Sequence, residues 1–181
     1  MIMDSAELVD MIIADAPASE IQDAIKSLAN AVKRGVHVKL VTTFGFNRST
    51  ENYPGQGGDN RKGYCRLYKK ALKLTNNKQK VEKYLHLRWY TRPDGVRVDD
   101  SSSVVDDEGK GRPDAMHAKY ATIDDQLAIV GTANMDTQSW NHSREINLLV
   151  DNKKVTKSWD NQLFTNVFKR SDKWEGPDSC Q

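Results

Sequence analysis

Residues 116–125, MHAKYATIDD, set a histidine and a lysine two positions apart, His117 and Lys119, in a stretch that otherwise reads as a buried strand. Side chains two apart on a strand point the same way, so an imidazole and an ammonium share one face and converge on one anion. Asp124 follows past the strand end, where a carboxylate joins a turn or braces a neighbour. Further on, Gly131 permits close backbone approach, Thr132 and Asn134 offer a hydroxyl and an amide, and Glu145 opens the next strand. Together these supply a nucleophile or acid–base group, a fixed cation, neutral donors for phosphate oxygens and a carboxylate that orients an imidazole. The inventory suits phosphoryl transfer. Lys119 neutralises the charge that a metal would otherwise hold, so neither a metal nor another cofactor is expected.

The surrounding pattern must position these groups. Residues 8–14 are apolar and fit a strand or a helical turn equally well. Pro17 and Ser19 suit a helix start; Ile21, Ala24, Ile25, Leu28, Ala31 and Val32 follow at helical spacing, with Gly35 as the stop. In VHVKLV, Val36, Val38 and Leu40 alternate with His37 and Lys39, which predicts a strand whose His37 and Lys39 face solvent. Residues 44–63 read as a loop, Tyr64 to Leu74 as a helix, and LHLRWYT as a strand. A polar loop then runs to the motif strand at 116–123. LAIVG is its hairpin partner, INLLV (146–150) the next strand, and Lys153 to Lys169 a last helix burying Trp159, Leu163, Phe164, Val167 and Phe168. The fold class is α/β, a mixed central β-sheet flanked by helices on both faces. It forms a single lobe over 1–181 with a variable, loop-rich insertion at 44–113.

The spacing His117-x-Lys119, four residues, Asp124, six residues, Gly131-Thr132-x-Asn134 resembles the HxK(x)4D(x)6G(S/T)xN signature of the phospholipase D superfamily. Glu145 stands where that family places the carboxylate that hydrogen-bonds the catalytic imidazole. NMDTQSWNHSREINLLVD and AIKSLANAVKRGVHVKLV extend the similarity, with 44–113 least alike. The resemblance implies that His117 forms a phosphohistidine or acts as general acid, and that Lys119, Thr132 and Asn134 hold the phosphate. It implies that Glu145 sets the tautomer of His117 and that Asp124 braces the motif. His37-x-Lys39 is a decoy, since no Asp and no Gly-Thr-x-Asn follow it at the required steps. His142, Ser139 and Trp140 either shape the mouth of the site or turn the chain.

The family site is normally built from two such motifs, and this chain carries one. The resemblance therefore implies a second HxK-bearing lobe, either an N-terminal half of the same protein or a homodimer mate. It implies a phosphodiesterase that hydrolyses or transphosphatidylates glycerophospholipid at a membrane surface; the alternative is an endonuclease acting on DNA or RNA as a homodimer. The composition, 38% hydrophobic and 29% charged with net charge +2, is that of a soluble globular chain. The apolar run 8–16 is broken by Asp10 and Asp15, which argues against a signal peptide or a transmembrane segment, so a soluble lobe peripheral to membranes is expected. Cys65 and Cys180 lie far apart, and neither a metal site nor a disulfide is expected. Segment 61–92 is rich in Lys and Arg, a solvated face or a surface for headgroups or nucleic acid.

Overall fold

The computed structural model describes residues 7–13, 22–44, 60–98, 116–135 and 138–180. The first apolar stretch is a strand, β1 (Leu8–Ile13), followed by helix α1 (Gln22–Arg34). The expected start of α1 at Pro17 and Ser19 lies outside the described residues. Its stop at Gly35 holds: the glycine takes φ +93°, Gly35 N–H donates to Val32, and Val36 N–H reaches back to Ala31, both at 3.0 Å. Glycine allows this left-handed ending without a Cβ penalty.

β2 (His37–Thr42), α2 (Asn60–Thr75), α3 (Lys78–Tyr84) and β3 (Leu85–Trp89) come next. α2 begins at Asn60 rather than near Tyr64, because the Asn60 side chain donates to the Thr43 carbonyl at 2.7 Å and anchors the first turn. α3 has no apolar periodicity to announce it; it starts where the Asn77 side chain accepts from Lys80 N–H at 2.9 Å, a local cap. The loop-rich insertion thus contains two helices and a strand.

β4 (Lys119–Ile123), β5 (Leu127–Gly131) and β6 (Asn147–Asp151) form an antiparallel meander. The last helical segment runs as α4 (Lys153–Trp159), a π-helical turn (Asp160–Phe164) and α5 (Thr165–Arg170), followed by the short strand β7 (Asp172–Lys173). The strand order is β6-β5-β4-β1-β2-β3-β7, with β1, β2 and β3 parallel and the remaining neighbours antiparallel. The mixed α/β architecture is as expected.

Each face of the sheet has its own core. α1 and α2 cover Val9, Met11, Val38, Leu40, Leu87 and Trp89, with Tyr64 stacked on Trp89 at 4.4 Å. On the other face Val41, Tyr120 and Ala128 pack on Phe164, flanked by Trp159, Val167 and Phe168. Leu163, expected in that core, is 47% exposed. The wide π-helical turn shifts the phase of the helix, carrying Asp160 and Phe164 inward and Leu163 out.

The same layer overturns the solvent face expected for His37-x-Lys39. Lys39 is half-buried, its Nζ 3.1 and 3.2 Å from the two carboxylate oxygens of Asp10, and it lies 5.8 Å from the ring centres of both Phe164 and Phe168. Burial pushes the Asp10 carboxyl up to about 6, with Lys39 opposing the shift. Asp160, which accepts from Thr122 at 3.1 Å and Thr165 at 3.2 Å, is also raised by burial.

Cys65 and Cys180 form a disulfide across 115 residues, contrary to the sequence reading. Tertiary structure brings them together. Trp174 N–H donates to Leu87 O at 3.0 Å and Trp89 Nε1 to Glu175 at 2.8 Å, returning the tail past β3 to α2. No local pattern encodes that return.

Two predictions follow from this packing. Replacing both cysteines by alanine should lower stability by about 2–4 kcal/mol, since the closed loop is long; equal urea midpoints would refute it. Asp10 has a folded pKa above its unfolded value, so its stabilising contribution is complete below about pH 4 and is lost as pH rises through about 6. Relative to Asp10→Asn, wild type should therefore lose on the order of 2–3 kcal/mol across that window. A pH-independent difference between their urea curves would show that Asp10 titrates normally.

Candidate active site

The motif strand starts later than its pattern suggests. β4 opens at Lys119, and His117 stands two residues earlier, exposed, beside the buried Met116. Lys119 shares a face with Ala121 and Ile123, and its Nζ donates to the His117 carbonyl at 3.0 Å. The lead-in is tied to the opposite layer by two residues that sequence reading did not single out. Thr43 Oγ1 donates to Met116 O at 3.3 Å, and the Thr43 carbonyl accepts from Asn60 at 2.7 Å. Both are buried. A threonine at a strand end and an asparagine at a helix start are too ordinary to have marked this role.

Asp124 closes the far end of β4. Asp124 and Asp125 take φ +56° and +53°, and Gln126 N–H donates to Ile123 O at 3.0 Å. Aspartate tolerates this left-handed turn better than most residues. The Asp124 carboxylate accepts from Glu7 N–H at 2.6 Å and Leu8 N–H at 2.7 Å, pinning the start of β1 to the hairpin. A five-residue strand separates it from Lys119, roughly 17 Å at strand rise, so the two do not meet one anion.

The other motif residues gather at the end of the sheet where β4 begins. Gly131 pairs with Asn147, and a Cβ on Gly131 would lie 2.2 Å from Asn147 Oδ1 and 2.4 Å from Ile146 O. Only glycine allows that approach. Thr132, next along, exchanges bonds with Ile146: its N–H donates to Ile146 O and its hydroxyl accepts from Ile146 N–H, both at 3.0 Å. The Thr132 hydroxyl then donates to Glu145. Its proton is directed at that carboxylate, which is thereby held just ahead of β6. Asn134 N–H donates to Ser139 Oγ at 3.0 Å, and Trp140 Nε1 to the Asn134 carbonyl at 3.0 Å. Ser139 and Trp140, from the π-helical turn Gln138–His142, thus hold Asn134 in place, while His142 is exposed at the end of that turn.

Lys119, Asn134 and Glu145 open onto one groove of about 530 Å³, whose other walls include Val9, Met11 and Ile129. Asn134 Oδ1 is buried there with no hydrogen-bond partner among the described residues. A buried polar atom in that state is costly unless something donates to it. One cation, Lys119, thus shares a largely apolar groove with the Glu145 carboxylate and the amides of Asn134 and Asn147, while Asp23 and Ser27 of α1 add a second carboxylate and a hydroxyl to its wall. Among the described residues no cluster of three or more His, Cys, Asp or Glu is placed to hold a metal ion.

Residues 1–167 match the family model described as cardiolipin synthase, PLD-like domain. Cardiolipin synthase 2 of Staphylococcus epidermidis is 41% identical over 58 residues, which is 32% of this chain and 12% of that protein. Cardiolipin synthase of Clostridium perfringens is 36% identical over 52 residues, 29% of this chain and 11% of the relative. The matched stretches thus span only a small part of these relatives. Among solved structures, Nuc from Salmonella typhimurium, a phospholipase D family member, aligns with TM-score 0.59 at 17% identity, covering 96% of this chain and 86% of Nuc. Phosphatidylserine synthase of Haemophilus influenzae aligns with TM-score 0.60 at 12% identity, covering 98% of this chain and 36% of the synthase. Both structural likenesses concern the fold.

The tightest point of the site is Gly131, and it yields a prediction. Gly131→Ala should destabilise the protein by about 1–3 kcal/mol and displace the Thr132–Glu145 pair. Thermal unfolding reads the first effect. A variant as stable as wild type would show that β5 and β6 yield easily there.

Proposed function

The chain belongs to the phospholipase D superfamily, and from that membership we propose that it is one catalytic lobe of a phosphodiesterase acting on glycerophospholipids. The observation that carries this reading is the single groove onto which Lys119, Asn134 and Glu145 open together with a largely apolar wall. An amphipathic phosphodiester suits that lining: its anionic phosphate meets Lys119 while its apolar portion meets Val9, Met11 and Ile129. Glu145, steadied by Thr132, orients and charges the His117 imidazole. Asp124 acts at a distance, by holding the hairpin to β1.

The chemistry needs two imidazoles. In the first step one ring nitrogen attacks phosphorus, an N–P bond forms, and the P–O bond to the headgroup alcohol breaks as a second imidazole donates a proton to it. In the second step water or another alcohol, deprotonated by that second imidazole, attacks phosphorus and restores the first. Acid–base assistance of this type is worth ~10²–10⁴-fold. This chain supplies one such group, His117, so a second HxK-bearing lobe completes the site. An unusually apolar border supports a partner there: Ile146 is 80% exposed, Leu148 57%, Leu149 51% and Trp140 55%, beside Glu145 and along the sheet-edge strand β6. Leu148 and Leu149 point to opposite faces of that edge strand, and large exposed apolar side chains gathered along one edge suit an interaction surface.

The second reading, a homodimeric nuclease, draws on the 86% coverage of Nuc, against 36% of the phosphatidylserine synthase. Incubation with phosphatidylcholine vesicles and with plasmid DNA, both with chelator present, separates the two. Headgroup release is the expected result, and nicking without headgroup release would replace the lipid reading by the nuclease one. His117→Asn should abolish the reaction, whereas Glu145→Gln should retain a measurable rate, because it keeps the shape and loses only the charge that stabilises imidazolium. Equal residual rates would give Glu145 a chemical role of its own. Mixed with wild type in an active homodimer, His117→Asn should lower activity as the square of the wild-type fraction. Full activity from a monomer would sink the two-imidazole account.

A further inference from the structure

The most basic element of the chain is not at the groove. α2 carries Arg61, Lys62, Arg66, Lys69, Lys70 and Lys73 within its 16 residues and no Asp or Glu, although the whole chain has a net charge of only +2. Tyr64, Leu67, Tyr68 and Ala71 take the buried side of the helix, which leaves Lys62, Lys69 and Lys73 exposed and Arg61, Arg66 and Lys70 partly exposed. Lys62 and Arg66, Arg66 and Lys70, and Lys69 and Lys73 stand four apart, a spacing at which like charges weaken a helix.

The stripe is also concave. Arg61, Lys62, Arg66 and Lys69 wall a groove of about 270 Å³ together with Ser179 and the Cys65–Cys180 disulfide, and none of its described lining residues is acidic. The second wall is the chain's tail, held on α2 by the disulfide and on β3 by the pairing of Asp172 and Lys173. We propose that this groove is a second, non-catalytic anion site that seats the phosphate of an acidic phospholipid and docks the lobe on an anionic membrane. The proposal rests on the lipid reading given above.

Its position suits that role. Asn60, the first residue of α2, bonds Thr43, and Thr43 bonds Met116, the neighbour of His117. The stripe therefore begins at the end of the sheet where the active site lies, and docking through it brings that end to the surface that carries substrate. A membrane fits better than nucleic acid, because no aromatic lines the groove to stack on bases, whereas Lys/Arg clusters on a helix suit acidic headgroups.

The measurement is co-sedimentation with phosphatidylcholine vesicles made with or without phosphatidylglycerol, alongside activity on a soluble short-chain phosphodiester. Wild type should bind the acidic vesicles selectively, and salt should weaken the binding. Lys62→Glu combined with Lys69→Glu should cut partitioning more than tenfold, at ~fivefold per unit of charge, with activity on the soluble substrate unchanged. Lys62→Arg combined with Lys69→Arg should keep wild-type binding, which separates lost charge from lost folding. Undiminished binding by the glutamate pair would overturn the proposal. So would inorganic phosphate binding in the groove with no gain on vesicles, or plasmid DNA held more tightly than acidic vesicles through the same residues. Stripe-dependent vesicle binding without lipid cleavage would support the docking site and defeat the lipid reading of the active site.

Discussion

The close approach of β5 and β6 at Gly131 governs the geometry of the candidate active site. A backbone without Cβ lets Ile146 and Asn147 come within a distance that no other residue permits. Thr132 then meets Ile146 through two hydrogen bonds and turns its own proton to Glu145. Asn134, held by Ser139 and Trp140, completes the array. None of these side chains needs a long reach, because the antiparallel ladder has already brought β4, β5 and β6 into register. A preorganised array of this kind costs little reorganisation when charge develops on a substrate, which is where electrostatic catalysis gains most.

The opposite face of the same sheet shows what a buried charge requires. Asp10 and Asp160 sit beneath the C-terminal helical layer, served by Lys39, Thr122 and Thr165. Lys39 is the second residue of a His-x-Lys triplet, yet its ammonium is committed to Asp10 and to two phenylalanine rings. The same two residue types therefore do different work on the two faces. At β4 the lysine opens onto a groove; at β2 a π-helical turn rotates Phe164 and Asp160 over it.

Two surfaces of unlike chemistry border the lobe. The sheet edge at β6 is apolar where it meets the site, and α2 is basic along a groove closed by the disulfide-linked tail. Apolar area gains most when another protein surface covers it, and a cationic groove gains most from a polyanion. In the proposed reading the second lobe takes one side and the acidic surface another, which leaves the groove between β1, β4 and β5 for a phosphodiester.

Much of this was legible in the chain because it is local. The spacing from His117 to Asn134, the period-2 strands, the glycine stop at Gly35 and the glycine at 131 each express a short-range rule of backbone geometry. The family and the α/β class followed from them. What the chain did not disclose depends on contacts between distant segments. Cys65 and Cys180 are 115 residues apart, and only the return of the tail along β3 makes them neighbours. Lys39 reads as solvent-facing until a helix more than a hundred residues later covers it. Thr43 and Asn60 are unremarkable until their hydrogen bonds link β2, α2 and the residue before His117. The candidate groups were written in side-chain types and spacing, but which of them were held, buried or left facing the groove was decided by packing. Burial and hydrogen-bond partnership are properties of the assembled layers, and no short window of sequence contains them.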